Sequence, residues 1–273
     1  SKADSKWYVS SDAANALAAR VALFQNKMTD AANYAEAVLA NSSFSLASTA
    51  MDFSKNWVAG SSSPEIIFAY VNNSRASSPL NFTLYVNDTD GSWNYAPSDW
   101  CYNSLFADDN TLSRKGDVRL KATFTSQDAN RVIKYPNGTY QLAETSDYTC
   151  TPVVISRISE MYLIKAEALG KTNGAAALVE YMKKRYTTAP SEAAIKALSD
   201  KEYQTLILDE RRREFDAEGR RWQDIKRTNR LELLETLDGR TYLMYYPIPQ
   251  DEIDMAGTVA YPQNPGYAGY TGN

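Results

Sequence analysis

The chain has 273 residues, 44% of them apolar, with 29 basic and 33 acidic side chains, a net charge of −4 and no histidine. That size supports a sizeable core in one large domain or two small ones. The lack of histidine excludes Ser–His–Asp and Cys–His catalysis, HExxH metalloproteases and nearly all catalytic zinc sites, and basic residues interleaved with acids argue against nucleic acid as a partner.

No apolar run approaches the roughly 20 residues that cross a bilayer. The opening SKADSKWYVSS lacks the apolar stretch of a signal peptide. Residues 11–41 read as a helical hairpin. Its first helix covers residues 11–27, with Asp12 near the start. Its second runs from Thr29 or Asp30 to about Ala40, with Ala32, Ala35, Val38 and Leu39 as the inner face. The short link predicts antiparallel packing, and small alanines allow close approach.

Residues 42–150 are rich in Ser, Asn, Asp, Thr and Tyr, with weak helical periodicity, and read as a long loop-rich, partly β insertion. EIIFAYV (Glu65 to Val71) fits a buried strand and NFTLYV (Asn81 to Val86) a second. NDTDG (Asn87 to Gly91) is a turn, and Ser98 to Phe106 a short helix. Long loops are usually functional or disordered, and the aromatic residues argue for order.

Residues 155–235 return to helix. Ile155 to Leu169 and Ala175 to Arg185 form a second hairpin, with Gly170 and Gly174 bracketing its turn, and its unit length is near the 34 residues of a tetratricopeptide repeat. A charged helix covers residues 200–217; Gly219 interrupts it, and another helix spans Trp222 to Leu234. Residues 236–273 form an irregular tail rich in Pro, Gly and Tyr. The expected fold is therefore mainly α, in one domain, with two helical hairpins around the loop-rich insertion.

The charged stretch Glu210 to Leu231, ERRREFDAEGRRWQDIKRTNRL, holds five acids and seven arginines in 22 residues. Helical spacing places Glu210, Glu214 and Glu218 in line with the apolar Tyr203, Leu206 and Ile207, and Trp222 follows. Buried carboxylates are costly unless paired. The neighbouring arginines are the expected partners, because guanidinium holds carboxylate in a bidentate fork. An internal ion-pair clamp and a solvated, salt-bridged face are both compatible with this pattern.

Other motifs are weak. LGKT (Leu169 to Thr172) mimics the end of a phosphate-binding loop, but Lys165 stands where the first glycine is required and a helix precedes it. Asp88, Asp90 and Gly91 resemble part of a calcium loop whose glycine position is taken by Trp93; a metal-free turn is the reading, with an irregular calcium site as the alternative, and no metal or cofactor is expected. Asp108, Asp109 and Asp117 are candidates for a glycosidase pair, although 33 acids make chance pairs common. Cys101 and Cys150 read as unpaired side chains; a bridge would close a loop of about 50 residues, worth roughly 4 kcal/mol.

The chain has 19 tyrosines and five tryptophans. Burial is the default for tryptophan. Trp93, in GSWNY beside a turn, is the best candidate for an exposed ring that stacks on a sugar. Tyr95 is the second platform, with Asn94 and Arg75 as polar partners.

The charged stretch resembles the ERRxELxxEGxRWxDLxR signature of the SusD/RagB family, with Glu210, Arg211, Glu214, Glu218, Arg221 and Trp222 at its marked positions. RISEMYLIKAEA (Arg157 to Ala168) is similar to that family's RxAEvyLxxAEA helix, and YPIPQDEID and QNPGY are similar to its closing elements. The residue 11–41 hairpin and the segment APSDWCYNSLFADDNTLSRKGDVRL resemble two further family segments. Order and spacing agree. The resemblance implies a mostly helical, non-catalytic lipoprotein on the bacterial outer-membrane surface. Such a protein captures oligo- or polysaccharide and serves a SusC-like TonB-dependent transporter; RagB-like relatives handle peptides. It also implies a lipoprotein signal, an anchoring cysteine and helices ahead of the first hairpin, so the chain reads as lacking an N-terminal portion, with membrane attachment only through that absent lipid anchor. The competing readings are a helical-repeat scaffold that binds only the transporter and a glycoside hydrolase.

Overall fold

The computed structural model describes residues 6–58, 63–70, 96–124, 132–135, 151–234, 237–256 and 262–269. Arg75, Trp93, Asn94, Tyr95 and Cys150, the Asn81 to Val86 strand and the Asn87 to Gly91 turn lie outside them. Residues 1–219 and 220–273 form two compact units. Helices dominate the described residues, as the sequence predicts.

In the first unit, the Ser10 hydroxyl accepts from the Ala13 N–H at 3.1 Å and starts α1 (Ser11–Phe24). The helix α2 (Met28–Leu39) follows after a three-residue link. Ala16, Ala19, Ala31 and Ala35 are fully buried, so the two backbones approach closely. Asn41 Nδ2 donates to Asp12 Oδ2 at 2.9 Å and ties the end of the hairpin to its beginning. The predicted inner face is buried at Ala32, Ala35 and Val38; Leu39 is half-buried and Ala31 joins them.

The insertion contributes α3 (Ala50–Ser54), β1 (Ile66–Tyr70), a π-helical turn at Cys101–Leu105, β2 (Lys115–Asp117) and α4 (Val118–Thr123). The strand and the short helix fall where the sequence places them. The next helix begins later than expected. Val153–Arg157 is a strand, β3, antiparallel to β1, with Ile66 opposite Arg157 and Tyr70 opposite Val153. The β-branched run Val153, Val154, Ile155 favours extended backbone once β1 offers partners.

Ile158–Arg185 is α5, broken at Gly170, whose φ of 66° and ψ of 174° make the hairpin turn. Gly174 is not part of that turn. It lies in the second arm, where a Cβ would press on the Ala166 carbonyl oxygen and lie 2.9 Å from the Tyr203 hydroxyl. That hydroxyl donates to the same carbonyl at 2.9 Å. Gly174→Ala should therefore cost roughly 1–3 kcal/mol by overpacking. Urea unfolding checks this, and an unchanged midpoint would contradict the close-approach account.

β4 (Tyr186–Thr188) pairs antiparallel with β2, and α6 (Glu192–Lys196) leads to α7 (Asp200–Glu214). A reciprocal Ser199–Glu202 capping box begins α7. One apolar cluster from α1, α2, α5 and α7 forms the main core, centred on Met161, Leu163, Ile164, Leu178 and Ile207. Arg20 joins α1 to the first turn of α5, donating from Nε to Glu160 Oε1 at 2.9 Å and from its terminal nitrogen to Oε2 at 2.5 Å.

The charged helix ends at Glu214, not residue 217. Ala217 and Gly219 take positive φ values of 61° and 72°, so the single stripe from Glu210 to Trp222 is broken. Glu218 sits in the turn. Trp222 belongs to a separate element.

The second unit contains α8 (Arg221–Thr228), 3-10 turns at Leu231–Leu233 and Thr241–Met244, and α9 (Gln250–Met255). α8 stops before the predicted Leu234 because Asn229 is left-handed, with φ 54°, a conformation asparagine tolerates. The QNPGY residues act as a clasp. The Gln263 side-chain amide holds both backbone groups of Ile248: Oε1 accepts from the Ile248 N–H at 2.7 Å and Nε2 donates to its carbonyl at 2.8 Å. Asn264 Nδ2 donates to the Tyr246 carbonyl at 2.8 Å, and Tyr267 Oη to the Tyr245 carbonyl at 2.6 Å.

Candidate functional site

The three signature carboxylates Glu210, Glu214 and Glu218 meet in the interior of the first unit. Glu210 and Glu214 are one turn apart on α7 and fully buried. Glu214 Oε1 accepts from Arg157 at 2.5 Å and Arg185 at 2.9 Å, while Oε2 accepts from Arg185 Nε at 2.9 Å and Tyr181 Oη at 2.8 Å. Arg119 approaches the same oxygen at 3.4 Å. Glu210 accepts from Tyr186 Oη at 2.6 Å, Arg213 at 2.9 Å and Arg119 at 2.9 Å.

Further carboxylates extend the set. Glu65, just before β1, accepts from Arg185 at 2.8 Å, the Ala47 N–H at 2.7 Å and Asn56 at 3.1 Å. Glu218 Oε1 accepts from Lys134 and from Arg157, each at 2.7 Å. Asp117 grips Arg119 through both oxygens, at 2.9 and 2.7 Å, and also receives its backbone N–H, capping α4. Among the described residues, Glu65, Asp117, Glu210, Glu214 and Glu218 thus form one connected network with Arg119, Lys134, Arg157, Arg185 and Arg213. Five negative charges meet five positive ones, which is the condition under which buried ions are tolerated.

Electrostatics follow the geometry. Burial pushes the Glu214 carboxyl upward, but the charges of Arg185 and Arg157 outweigh it and hold the group well below the ordinary carboxylate value. Glu210 is likewise lowered, burial being overcome by Arg119 and Arg213. Burial raises the Tyr181 and Tyr186 hydroxyls, which remain protonated donors. Aromatic faces complete the shell: Lys134 Nζ lies 4.6 Å from the Trp57 ring centroid, and the Arg185 guanidinium 4.9 Å from that of Phe53.

The internal clamp is therefore present, with different partners from those expected. Of the neighbouring arginines, Arg213 pairs with Glu210. The dominant cations come from α4, β3, α5 and the 132–135 segment, remote in sequence. Arg211 is buried with its guanidinium 5.3 Å from the Phe215 ring centroid. Arg221 and Trp222 are half-buried on α8, in the second unit. A lone arginine beside an apolar strand, as at Arg157, is the signal that would have revealed a partner.

The remaining candidates among the described residues have structural employment. Asp108 accepts from the Gly116 N–H at 2.8 Å, and Asp109 from the Thr111 and Leu112 N–H groups at 2.9 and 3.2 Å. Lys171 of LGKT donates to the Leu198 carbonyl at 2.7 Å, at a join between helical arms. Trp57 is buried and Trp100 is half exposed beneath the Arg212 guanidinium, 4.5 Å from its centroid. Cys101 is a buried free thiol donating to Asp216 Oδ2 at 3.7 Å; burial and the Asp216 charge push it up to about 12. Among the described residues no cluster of three or more acids or cysteines could hold a metal ion, and no helix is long and apolar enough to cross a membrane.

The model of the SusD family matches residues 106–241, which contain Arg119, Arg157, Arg185 and the whole α7 signature. That segment, residues 106–241, belongs to the SusD family. The chain is 30% identical over 142 residues to the SusD-like protein P38 of Formosa agariphila, covering 47% of this chain and 27% of that protein. A SusD superfamily structure from Bacteroides thetaiotaomicron aligns with a TM-score of 0.64 at 22% identity, over 97% of this chain and 62% of its own. Surface glycan-binding protein A from the same species aligns with a TM-score of 0.64 at 22% identity, over 95% and 64%. The chain thus spans about a quarter of the curated relative and under two thirds of these two structures. These structural likenesses support the SusD fold, and the buried network explains why the SusD signature is dense in charge.

Proposed function

We propose that this chain binds glycans at the cell surface without chemistry and passes them to a TonB-dependent outer-membrane transporter. The observation that carries the reading is the fate of the carboxylates. The signature acids are locked between guanidinium groups, and Asp108, Asp109 and Asp117 hold backbone or Arg119, which leaves none of them free for acid–base work at a glycosidic bond. Membership of the SusD family supports binding rather than catalysis. Another SusD-like structure, aligned at 22% identity with a TM-score of 0.60, is described as laminarin-binding; laminarin is accordingly the first glycan to try.

The network holds described parts of the long insertion and the strand after it: Glu65 precedes β1, Lys134 lies in the 132–135 segment, and Arg157 closes β3. Ligand contact is assigned to Trp93 and Tyr95, with Asn94 and Arg75 as polar partners, within the segment that follows β1. Surface display by a lipid anchor and the membership of one domain by residues 1–273 are parts of the same proposal.

A few stacked rings and hydrogen bonds give affinities of roughly micromolar to millimolar. Titration of a polysaccharide and peptide panel is the test. Binding of a glycan without product release supports the reading; binding of peptides alone, turnover, or capture of a barrel protein with no glycan retained would each replace it.

A further inference from the structure

The second unit contains a cavity of about 380 Å³ that the charge network does not explain. It lies at the low end of the roughly 300–1,000 Å³ range of small-ligand pockets, a size for one or two rings. Its walls are aromatic. Tyr242 packs edge to face on Tyr267, with centroids 5.0 Å apart at 88°, and a Cβ at Gly266 would collide with the Tyr242 ring. Tyr245 stands 58% exposed, its carbonyl held by Tyr267 Oη. The QNPGY clasp therefore builds a preformed floor and wall rather than a chance surface dent.

The polar lining has one sign. Asn229 and Thr241 supply amide and hydroxyl groups, and Lys226 supplies the charge. Among the described residues no carboxylate lines the cavity, although the chain carries more acids than bases. Neighbouring cations are spoken for: Arg227 pairs with Asp224 at 2.9 Å and Arg230 with Glu232 at 2.5 Å. Lys226 pairs with no carboxylate among the described residues; its ammonium rests 4.7 Å from the Tyr245 centroid. A ring face, two hydrogen-bonding groups and a cation with no carboxylate partner among the described residues are complementary to a sugar ring that bears a carboxylate.

We infer that this cavity binds an acidic sugar residue of the hexuronate class, with the C–H face of the ring on Tyr245 and its carboxylate on Lys226. The inference rests on the glycan-binding reading and adds a contact separate from the one assigned to Trp93. Neutral sugars would satisfy the ring wall but leave Lys226 without its anion. Charge-assisted hydrogen bonds are the stronger kind, so the acid form gains most.

The test uses the full chain, with trigalacturonate, its methyl ester and a neutral galactose trisaccharide followed by calorimetry or NMR. The acid should bind at least tenfold more tightly than its ester. Lys226→Met should erase that preference, and Tyr245→Ala should weaken both, each with an unchanged melting temperature because both side chains are exposed. Equal affinities for acid and ester in the parent protein, or a preference that survives Lys226→Met, would overturn the inference. If neutral glycans bind and the acid gains nothing, the cavity assignment fails while the glycan reading stands. If the acid binds through Lys226 and neutral glycans do not, the cavity assignment stands and the contact at Trp93 fails. No binding of any sugar overturns both.

Discussion

Glu214→Gln should unfold at a temperature roughly 6–20 °C below the parent. The range combines a loss of about 3–5 kcal/mol for breaking a buried ion pair with about 2–4 °C per kcal/mol for a chain of this size class. Glu214 neutralises Arg157 and Arg185 directly and lies within 3.4 Å of Arg119. Glutamine keeps the shape and offers one acceptor where the carboxylate offers two. Its NH₂ group would face a guanidinium, donor to donor, and three buried cations would lose part of their balance. Thermal unfolding followed by circular dichroism measures the shift. A drop of less than about 2 °C would mean that the network adds little beyond what packing already provides.

Acid should have the second large effect. Glu210 and Glu214 have folded-state values held below those of a free carboxylate. Their contribution is fully present above the unfolded value of about 4.3 and is lost as pH falls through the folded values. Asp216 acts in the opposite sense. Burial raises its carboxyl above the ordinary value, so its protonation favours the fold and offsets part of the loss. The urea midpoint should thus stay nearly level from pH 7 to about 5 and decline steeply below about 4.5. Glu214→Gln should have a shallower decline, because one of the linked protons is gone. A midpoint that rises on acidification would contradict the assigned charge states.

Much of the fold was legible in the sequence. Alanine-rich periodicity gave the first hairpin, and the apolar run at Ile66 to Tyr70 gave the strand it became. The end of the charged helix was misplaced because Ala217, a good helix former, adopts a left-handed turn there. Likewise, Val153 to Arg157 read as the start of a helix, since local pattern cannot reveal that β1 waits as a partner. Gly174 looked like a turn residue because close approach of Ala166 and Tyr203 is a tertiary fact.

The same limit applies to the site. Carboxylates on an apolar stripe left an internal clamp and a solvated face both open, and Glu210 and Glu214 proved to be buried among cations. Their identity was hidden because Arg119, Lys134, Arg157 and Arg185 are brought in from other elements, up to 95 residues away from Glu214 in the case of Arg119. Short-range arginines were the natural inference from sequence, and Arg213 does join the network, pairing with Glu210 at 2.9 Å.

The central claim is that the buried signature carboxylates hold the scaffold while the ligand is met elsewhere. Titration of one bound oligosaccharide into Glu210→Ala and Trp93→Ala, with melting temperatures taken on the same samples, tests it most directly. The account expects Glu210→Ala to melt several degrees lower with an unchanged Kd well below its melting temperature, and Trp93→Ala to keep its melting temperature while binding at least tenfold more weakly. A folded Glu210→Ala protein with altered ligand affinity, beside a Trp93→Ala protein that binds normally, would contradict it.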